Sequence, residues 1–346
     1  MNNISILPLT ISAQYGLVDQ ISFFNKTVAS KDMSGYYLLK NGEFAYNKSY
    51  SKDYPWGAIK RLDLYDMGCL STLYICFKCN KSIVDSNYLV HYFESTKWHR
   101  QVSNIAGEGA RNHGLLNIAV NDFFNTKHAI PPIENQKKIA KFLDLIEEKI
   151  QTQIKIISDH TSLKEGIYNL MFKENHAEFK LKELANIVKG KQINNDQLLS
   201  NGFYYMMNGG TSPSGYLNSY NVLENTISVS EGGNSCGYVQ FNNSKFWSGG
   251  HCYTIQDVNS ILVDNKYLYH YLKYKEKELM NLRIGTGLPN IQKKDLENFM
   301  ISVPSLLIQR KNLALLEMLD KKKCILNKEL QCLERQKKYL LCNMFI

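Results

Sequence analysis

Residues 130–172 read IPPIENQKKIAKFLDLIEEKIQTQIKIISDHTSLKEGIYNLMF, and residues 303–345 read VPSLLIQRKNLALLEMLDKKKCILNKELQCLERQKKYLLCNMF. The second stretch repeats the first at a constant distance of 173 positions, without a gap. The pairs that mark the repeat are Pro131 with Pro304, Gln136 with Gln309, Lys164 with Lys337, and Met171-Phe172 with Met344-Phe345. Matches that keep one register over such a length are not expected by chance, so we infer that the chain contains an internal duplication.

Both stretches are predicted to be long helices. Each opens with proline, which the first helical turn tolerates, and neither contains a proline further on. Apolar residues recur at steps of three and four, which indicates a coiled-coil-like seam. The predicted stripe comprises Ile139, Leu143, Ile146, Ile150, Ile154, Ile157, Leu163, Ile167 and Leu170 in the first helix, and Leu316, Leu319, Leu326, Leu330, Leu333, Leu340 and Met344 in the second. The simplest partner for each stripe is the other copy; dimerisation of the protein with itself is the alternative.

The repeat extends into the sequence before each helix. Gly114-Leu115 matches Gly287-Leu288 at the same distance of 173, and Tyr88–Tyr92 resembles Tyr267–Tyr271 at a distance of 179. We therefore divide the chain into a first domain at 1–129, a helix at 130–173, a second domain at 174–302 and a helix at 303–346. The domains share an end and diverge in the middle, which predicts that they recognise two different ligands.

Within each domain, short alternating runs predict strands, and one helix precedes the shared loop. The predicted strands are Gly35–Leu39, Glu43–Tyr46, Leu73–Cys79, Thr226–Ser230 and Cys252–Ile255, and the predicted helices lie around 85–104 and 264–283. Turns with Asn-Gly, Gly-Gly and proline separate the strands. This is an α+β pattern, with two domains separated by two long helices.

Composition and charge limit the function without deciding it. The chain has 346 residues, of which 44% are hydrophobic and 21% are charged. These fractions are typical of a soluble globular protein. It contains neither an apolar run long enough for a membrane span nor a recognisable signal peptide, so we expect a cytoplasmic protein. A formal net charge of +9 favours a polyanionic partner.

No catalytic or metal-binding motif stands out. Cys76 and Cys79 form a C-x-x-C pair inside a predicted strand, and no second pair follows at a spacing typical of zinc, so we interpret them as small packed residues. The sequence contains neither an Asn-Pro-Pro-Tyr or Asp-Pro-Pro-Tyr methyltransferase motif nor a G-x-x-x-x-G-K-[ST] phosphate loop. The sequence therefore gives no positive reason to expect an enzyme or a metal protein.

Two dissimilar domains, each followed by a helix that opens with proline and glutamine and closes on Met-Phe, resemble the specificity subunit of Type I restriction–modification systems. The residues that carry the resemblance are Pro131, Gln136, Ile139-Ala140, Leu143-Asp144, Met171-Phe172, the second copy at Pro304, Gln309 and Met344-Phe345, and the stretches Gly42–Asn47 and Gly285–Ile291. The resemblance covers nearly the whole chain.

The resemblance implies a fold, a function and a set of partners. Each target-recognition domain would read one half of a split target in double-stranded DNA, and two antiparallel helices would fix the separation of the halves. The helices would dock two adenine-methyltransferase subunits, and restriction and translocase subunits can join the same host-defence assembly. The chain would bind no cofactor itself, because S-adenosylmethionine belongs to the partner methyltransferase, and it would not bind a membrane.

DNA contacts are expected from polar, basic and aromatic residues on loops, where phosphate contacts position the protein and base contacts specify the sequence. The first-domain candidates are Lys48, Ser49, Tyr50, Lys52, Tyr54, Trp56, Lys60, Arg61, Arg111 and His113. The second-domain candidates are Asn208, Thr211, Ser212, Asn234, Ser235, Lys245, Arg283 and Thr286. For any one of these residues, an ordinary surface or turn role is the alternative.

The first domain departs from the second at its beginning. About twenty residues separate Glu178–Leu184 from Phe203–Met206 in the second domain, whereas the first reaches the counterpart of Phe203–Met206, Leu7–Thr10, almost at once. We expect the first domain to lack an opening strand and turn.

Two other functions compete with the DNA-reading subunit. A coiled-coil scaffold joining two protein-binding domains would lose any DNA affinity once its charge is screened. An autonomous nuclease or methyltransferase would be active as the purified chain alone.

Overall fold

In the computed structural model, residues 4–52, 54–107, 114–174, 176–285, 287 and 289–345 are described. The chain divides into two units, one formed by 1–154 with 328–346 and the other by 155–327. Each unit therefore contains a domain, part of the helix that follows it and part of the other long helix.

Strands and helices are distributed over both units. The strands are β1 (Leu9–Ser12), β2 (Gly16–Asp19), β3 (Tyr37–Lys40), β4 (Phe44–Asn47), β5 (Ala58–Arg61), β6 (Met67–Leu70), β7 (Ile75–Phe77), β8 (Ala177–Lys180), β9 (Asn186–Lys189), β10 (Tyr204–Met207), β11 (Gly215–Leu217), β12 (Thr226–Ser230), β13 (Val239–Asn242), β14 (Trp247–Ser248), β15 (Cys252–Gln256) and β16 (Met300–Val303). The helices are α1 (Gln20–Phe24), α2 (Ser86–Glu94), α3 (His99–Ile105), α4 (Val120–Phe124), α5 (Ile133–Phe172), α6 (Leu181–Leu184), α7 (Asn265–Tyr274), α8 (Glu276–Asn281), α9 (Lys293–Glu297) and α10 (Leu306–Asn343). This confirms the predicted α+β class with two long helices.

The two units share a strand plan. In the first, β4 lies between β5 and β7, and in the second, β12 lies between β13 and β15, with every neighbour antiparallel. The hairpin of β1 and β2 corresponds to the hairpin of β10 and β11. The central strands are almost entirely buried, although β12 alternates polar with apolar residues.

The second unit carries two further strand pairs. Strand β9 extends its main sheet beside β15, and β8 pairs with β16 immediately before Pro304. In the part of the first unit that the structure describes, β7 pairs with β4 alone and no strand corresponds to β8 or β9. The first sheet is accordingly one strand narrower than the second.

Each unit packs one long-helix end into its own core. Phe172, at the end of α5, contacts Tyr267 and Tyr271 in the second unit. Phe345, just after α10, is buried against Tyr88 and Tyr92 in the first unit. The first core is therefore completed by residues that lie far away in sequence.

The seam residues of α5 and α10 follow an uninterrupted heptad pattern with steps of three and four. They are Gln136, Ile139, Leu143, Ile146, Ile150, Gln153, Ile157, His160, Lys164, Ile167 and Met171 in α5, and Gln309, Asn312, Leu316, Leu319, Lys323, Leu326, Leu330, Leu333, Lys337, Leu340 and Met344 in α10, all buried or half-buried. In the first unit, the contacts of Glu147 with Lys337 and of Gln153 with Glu329 make the two helices antiparallel.

Three predicted members of the stripe were wrong. Ile154, Leu163 and Leu170 are exposed by 43, 56 and 77%. The prediction followed apolar residues only, whereas the heptad places Gln153 and Lys164 in the seam, where each bonds to an acidic residue of α10.

The predicted domain helices are each broken into two. Around 85–104, α2 ends at Ser95, whose extended backbone and hydroxyl bond to Tyr92 O close the helix before α3 begins. Around 264–283, Lys275 separates α7 from α8. Over the described residues, no helix combines the length and apolar character needed to cross a membrane.

Candidate nucleic-acid interface

Four loops of the second unit meet beyond the ends of β9, β10, β12 and β14. We call them the second-unit loop cluster, which comprises 189–192, 208–212, 231–235 and 248–251. His251 N–H donates to Asn208 Oδ1 at 3.0 Å, and Glu231 N–H donates to His251 O at 2.9 Å. Lys191 N–H donates to Ser248 O at 2.9 Å, which ties the remaining loop to the group.

Glycine allows these loops to approach one another. A Cβ on Gly190 would lie 2.2 Å from Gly249 O, and a Cβ on Gly249 would lie 2.5 Å from Asn208 Oδ1. The glycine pairs of the sequence therefore serve close packing between loops as well as turns.

The buried carboxylate of Glu231 organises the centre of this cluster. Its Oε1 accepts from Lys189 Nζ at 2.6 Å and from the Tyr253 hydroxyl at 3.1 Å. Burial, reinforced by the Glu231 charge, raises the pKa of Tyr253, so this hydroxyl stays a donor. The ring Nδ1 of His251 lies 3.8 Å from Oε2.

Several polar and basic residues of the cluster were not among the sequence-based candidates. Lys189, Lys191, Gln192 and His251 are exposed around the buried Glu231. The run Lys189-Gly190-Lys191-Gln192, which begins at the last residue of β9, was the available signal. His251 offered no comparable signal, because its position depends on loops distant in sequence.

The structure brings most second-domain candidates together. Asn208, Thr211, Ser212, Asn234 and Ser235 all lie on loops of the cluster. Thr211, Ser212 and Asn234 are exposed, whereas Asn208 and Ser235 are half-buried.

The remaining second-domain candidates differ in position. Arg283 is exposed next to Ile284, which pairs with Asn290, and Asn290 in turn pairs with Gly232 of the cluster. Lys245 instead contacts Tyr220, with its ammonium 4.7 Å from the ring centre. Thr286 lies outside the described residues.

In the first unit, the loop after β4 rests on the segment before Ile118. Tyr50 N–H donates to Gly114 O at 2.6 Å, and Leu116 N–H donates to Lys48 O at 2.9 Å. Lys48 Nζ donates to Ile118 O at 3.3 Å. The candidates Ser49, Tyr50 and Lys52 are exposed, whereas Tyr54 and Trp56 are half-buried and Arg111 and His113 lie outside the described residues.

Lys60 and Arg61 make internal contacts. Arg61 bonds to Asp63, Ser86 and Asn87, which joins β5 to the start of α2. Lys60 Nζ lies 3.6 Å from Glu94, a residue that also binds Lys337 at 2.9 Å.

The ion pair at Glu94 belongs to a half-buried network. Burial opposes ionisation of Glu94, but the ammonium groups of Lys337 and Lys60 outweigh it and hold the pKa of Glu94 below its ordinary value. Lys337 also binds Glu147 at 2.7 Å. This network attaches α2 to both long helices in the first unit, so Lys60 and Arg61 have structural partners.

The two units carry opposite charges at an equivalent position. Lys48 directly follows β4, and Glu231 directly follows β12. The carbonyl of Lys48 accepts from Leu116 N–H, and the carbonyl of Glu231 accepts from Ile291 N–H. The residue after the central strand is thus basic in the first unit and acidic in the second. Over the described residues, no group of three or more His, Cys, Asp or Glu side chains could hold a metal ion.

Residues 173–335 match the model of the protein family described as the Type I restriction modification DNA specificity domain. Over that stretch, this chain is similar to the DNA specificity domain of Type I restriction–modification systems. The match covers the second recognition domain and most of α10.

Several proteins similar to this chain are named as type I specificity subunits. A putative type I specificity subunit of Mycoplasma pneumoniae is 34% identical over 121 residues, which are 35% of this chain and 32% of that protein. The match to the Mycoplasma genitalium counterpart, 33% identical over 122 residues, also spans about a third of its length, 32%. The MjaVIII specificity subunit of Methanocaldococcus jannaschii is 26% identical over 321 residues, 79% of this chain and 72% of the relative.

Two solved structures from type I restriction–modification systems share the fold. The crystal structure of the Type I S subunit from M. genitalium gives a TM-score of 0.61 at 18% identity, covering 89% of this chain and 84% of that one. A chain from work on complex assembly and conformational transition of the type I system gives 0.60 at 17% identity, covering 90 and 83%.

Proposed function

We propose that this chain is the specificity subunit of a Type I restriction–modification system and reads a two-part target in double-stranded DNA, with one half recognised by each unit. The chain itself performs no covalent step. Methyl transfer to adenine is the work of partner subunits, which bring S-adenosylmethionine, and the assembly acts in the cytoplasm, where its DNA lies. Restriction and translocase subunits can join it.

One observation carries the proposal, namely that a common scaffold presents unlike loop chemistry in its two copies. The strand plan and the helix attachment recur, whereas the residue directly after the central strand is the basic Lys48 in one unit and the acidic Glu231 in the other. Base edges in the major groove are distinguished by their donors and acceptors. Two copies that differ in those groups suit two unlike half-sites.

Charge around the loops favours the nucleic-acid partner. Lys52 in the first unit, and Lys189, Lys191 and Arg283 in the second, are exposed on or beside the loops, and the chain carries a net charge of +9. Lysine and arginine neutralise backbone phosphates and release counterions, which makes such binding dependent on salt. Loops that extend beyond a rigid sheet are common recognition elements.

The long helices set the spacing in this proposal. Each is continuous, over Ile133–Phe172 and Leu306–Asn343, and each contributes to both units. A continuous helix has a fixed rise for each residue, so its length can determine the gap between the two half-sites.

The same helices offer two equivalent docking patches. Phe142 and Leu145 are exposed on α5, and Leu315 and Met318, 173 positions later, are exposed on α10. Exposed apolar clusters on a water-facing helix mark sites of protein contact. Two equivalent patches suit two copies of one methyltransferase subunit.

The proposal is tested by sequencing methylated adenines at single-molecule resolution in cells with and without this gene. We expect a two-part motif with a fixed gap that disappears when the gene is deleted. An identical methylation pattern in both strains would contradict the proposal.

The exposed apolar helix residues also favour the second candidate, a scaffold for protein partners. DNA binding by the purified assembly across a salt series separates the two functions. The scaffold predicts no preference for the motif over unrelated DNA once the salt screens the charge.

A further inference from the structure

The carboxylate of Glu231 has one satisfied oxygen and one without a hydrogen bond. Oε1 accepts from Lys189 and Tyr253. Oε2 is buried and accepts no hydrogen bond from any residue in the described part of the chain. A buried acceptor without a donor lowers the stability of a fold, and such atoms are uncommon, so Oε2 is a candidate acceptor for a donor from outside the chain.

The backbone of Glu231 is fixed on both sides. Its N–H donates to His251 O at 2.9 Å, and its carbonyl accepts from Ile291 N–H at 2.9 Å. With Lys189 and Tyr253 both holding Oε1, the side chain has little freedom to turn. The position of Oε2 is therefore preorganised.

A mobile group can uncover this oxygen. The ring of His251 is 64% exposed, and its Nδ1 lies 3.8 Å from Oε2. Exposed side chains change rotamer within nanoseconds, so this ring can turn away at little cost. Two glycines, Gly249 and Gly250, precede His251, which leaves little side-chain bulk there.

We propose that Glu231 is a specificity-determining residue whose Oε2 accepts a hydrogen bond from the exocyclic amino group of a base. This inference rests on the proposed function. The amino groups available in the major groove are N4 of cytosine and N6 of adenine. An ionised carboxylate accepts only, so it disfavours guanine O6 and thymine O4 at the same position.

The variant Glu231→Gln converts the acceptor into a donor without changing the size of the side chain. Because Lys189 and Tyr253 both donate toward Oε1, the amide oxygen of glutamine takes that place. The amide NH₂ group then stands where Oε2 was. We expect the preference at one base pair to move from cytosine or adenine toward guanine or thymine.

The experiment measures binding of the assembly, purified from its host cells, to duplexes in which each base pair of the target is replaced in turn. For Glu231→Gln we expect the preference at one position of the second unit's half-site to change by roughly 5- to 150-fold. The other half-site and the gap should be unchanged. The methylation motif in the same cells should change at that one position.

The matched control is Glu276→Gln, which alters a half-buried carboxylate of the same unit. Glu276 binds Lys273 and accepts from Val239 N–H, and none of these residues belongs to the loop cluster. We expect the control to keep the target preference. Comparable unfolding temperatures for the two variants would show that both remain folded.

The outcomes separate this proposal from the proposed function. If the unaltered assembly has no sequence preference, the proposed function fails. If it has a preference that Glu231→Gln leaves unchanged, or lowers equally on every duplex, the role of Glu231 in base reading is refuted and the proposed function stands.

Discussion

Gln136 and Gln309 make the same three hydrogen bonds in their respective units. The carbonyl of Gln136 accepts from Asp85 N–H at 2.8 Å, and that of Gln309 accepts from Asp264 N–H at 2.8 Å. The Gln136 amide group also donates to Pro131 O and Ile83 O. The Gln309 amide group donates in the same way to Pro304 O and Leu262 O. Both side chains are at least 99% buried, so each glutamine fastens a long helix to its domain.

Replacing one glutamine should loosen one unit alone. Gln136→Ala leaves three polar backbone atoms without a partner, and we expect a loss of about 1–3 kcal/mol in the stability of the first unit. Peptide-resolved hydrogen exchange checks this, with faster exchange expected at Asp85 and little change at Asp264. Gln151→Ala, an exposed position on the same helix, is the control. Equal effects in both units would contradict the interpretation.

Phe345 should matter more to the first unit than its position in the sequence suggests. Phe345→Ala removes a ring that packs on Tyr88 and Tyr92, and buried Phe→Ala changes cost about 3–5 kcal/mol. We expect protease sensitivity to rise in residues 4–107 and to stay unchanged in 176–285. Leu170→Ala, at an exposed helix position, serves as the comparison. If the first unit of Phe345→Ala resists protease as well as the unaltered protein does, Phe345 does not stabilise that unit.

The second unit should lose stability in mild acid. Burial, aided by the Lys164 charge and opposed by Asp320, lowers the pKa of His270 from 6.5 to about 4. The folded unit keeps this ring neutral while the unfolded chain protonates below pH 6.5, so the stability is complete above pH 6.5 and falls toward pH 4.

Hydrogen exchange of the second unit across that pH range measures the loss. The variant His270→Asn can still accept from the Tyr168 hydroxyl, and we expect a flatter pH dependence from it. His176→Asn, elsewhere in the same unit, should keep the slope of the unaltered protein. If stability fell with pH at the same slope in all three proteins, the role of His270 would be contradicted.

The docking patches predict a change in stoichiometry. Phe142→Glu with Leu145→Glu places charge in one proposed contact, and we expect the assembly to retain one methyltransferase copy instead of two. Leu315→Glu with Met318→Glu should have the same effect at the other patch. Mass measurement of the intact assembly gives the count. Leu163→Glu, at an exposed position whose repeat counterpart is the polar Gln336, should leave two copies bound.

The spacing hypothesis predicts that whole heptads can be inserted. Seven helix-forming residues added after Ile154 and seven after Asn327 keep the seam in phase and lengthen each helix by about 10 Å. Since base pairs are 3.4 Å apart, we expect the gap in the methylation motif to grow by about three base pairs. Four-residue insertions at the same places shift the seam and should destabilise the assembly. An unchanged gap after the seven-residue insertion would exclude the helices as spacers.

The sequence predicted the parts of the fold that repeat. Two stretches 173 positions apart were sufficient to predict two helices and α+β domains, because both follow from local pattern. The positions of the seam could not be predicted from apolar residues alone, because the polar Gln153 and Lys164 occupy two of them. Their acidic partners on α10 come close only in the folded chain.

The sequence predicted which loops form the candidate site, but it did not predict where the individual side chains lie on them. Asn208 and Asn234 were predicted and lie in one cluster, whereas His251 joins them through contacts across more than forty positions of sequence. Lysine is a residue type that binds phosphate, which is why Lys60 was a candidate. Its ion pair with Glu94 forms only because α2 packs beside β5, and the sequence does not reveal that contact. Such pairings arise from tertiary structure and leave no local pattern.

The placement of Phe345 in the first core also affects the order of synthesis. Residues 328–345 leave the ribosome after the whole of 155–327, so the second unit can finish folding while the first still lacks its last helical segment. The earlier-made domain therefore exposes more of Tyr88 and Tyr92 until Phe345 has been made, and apolar surface exposed at that stage favours aggregation.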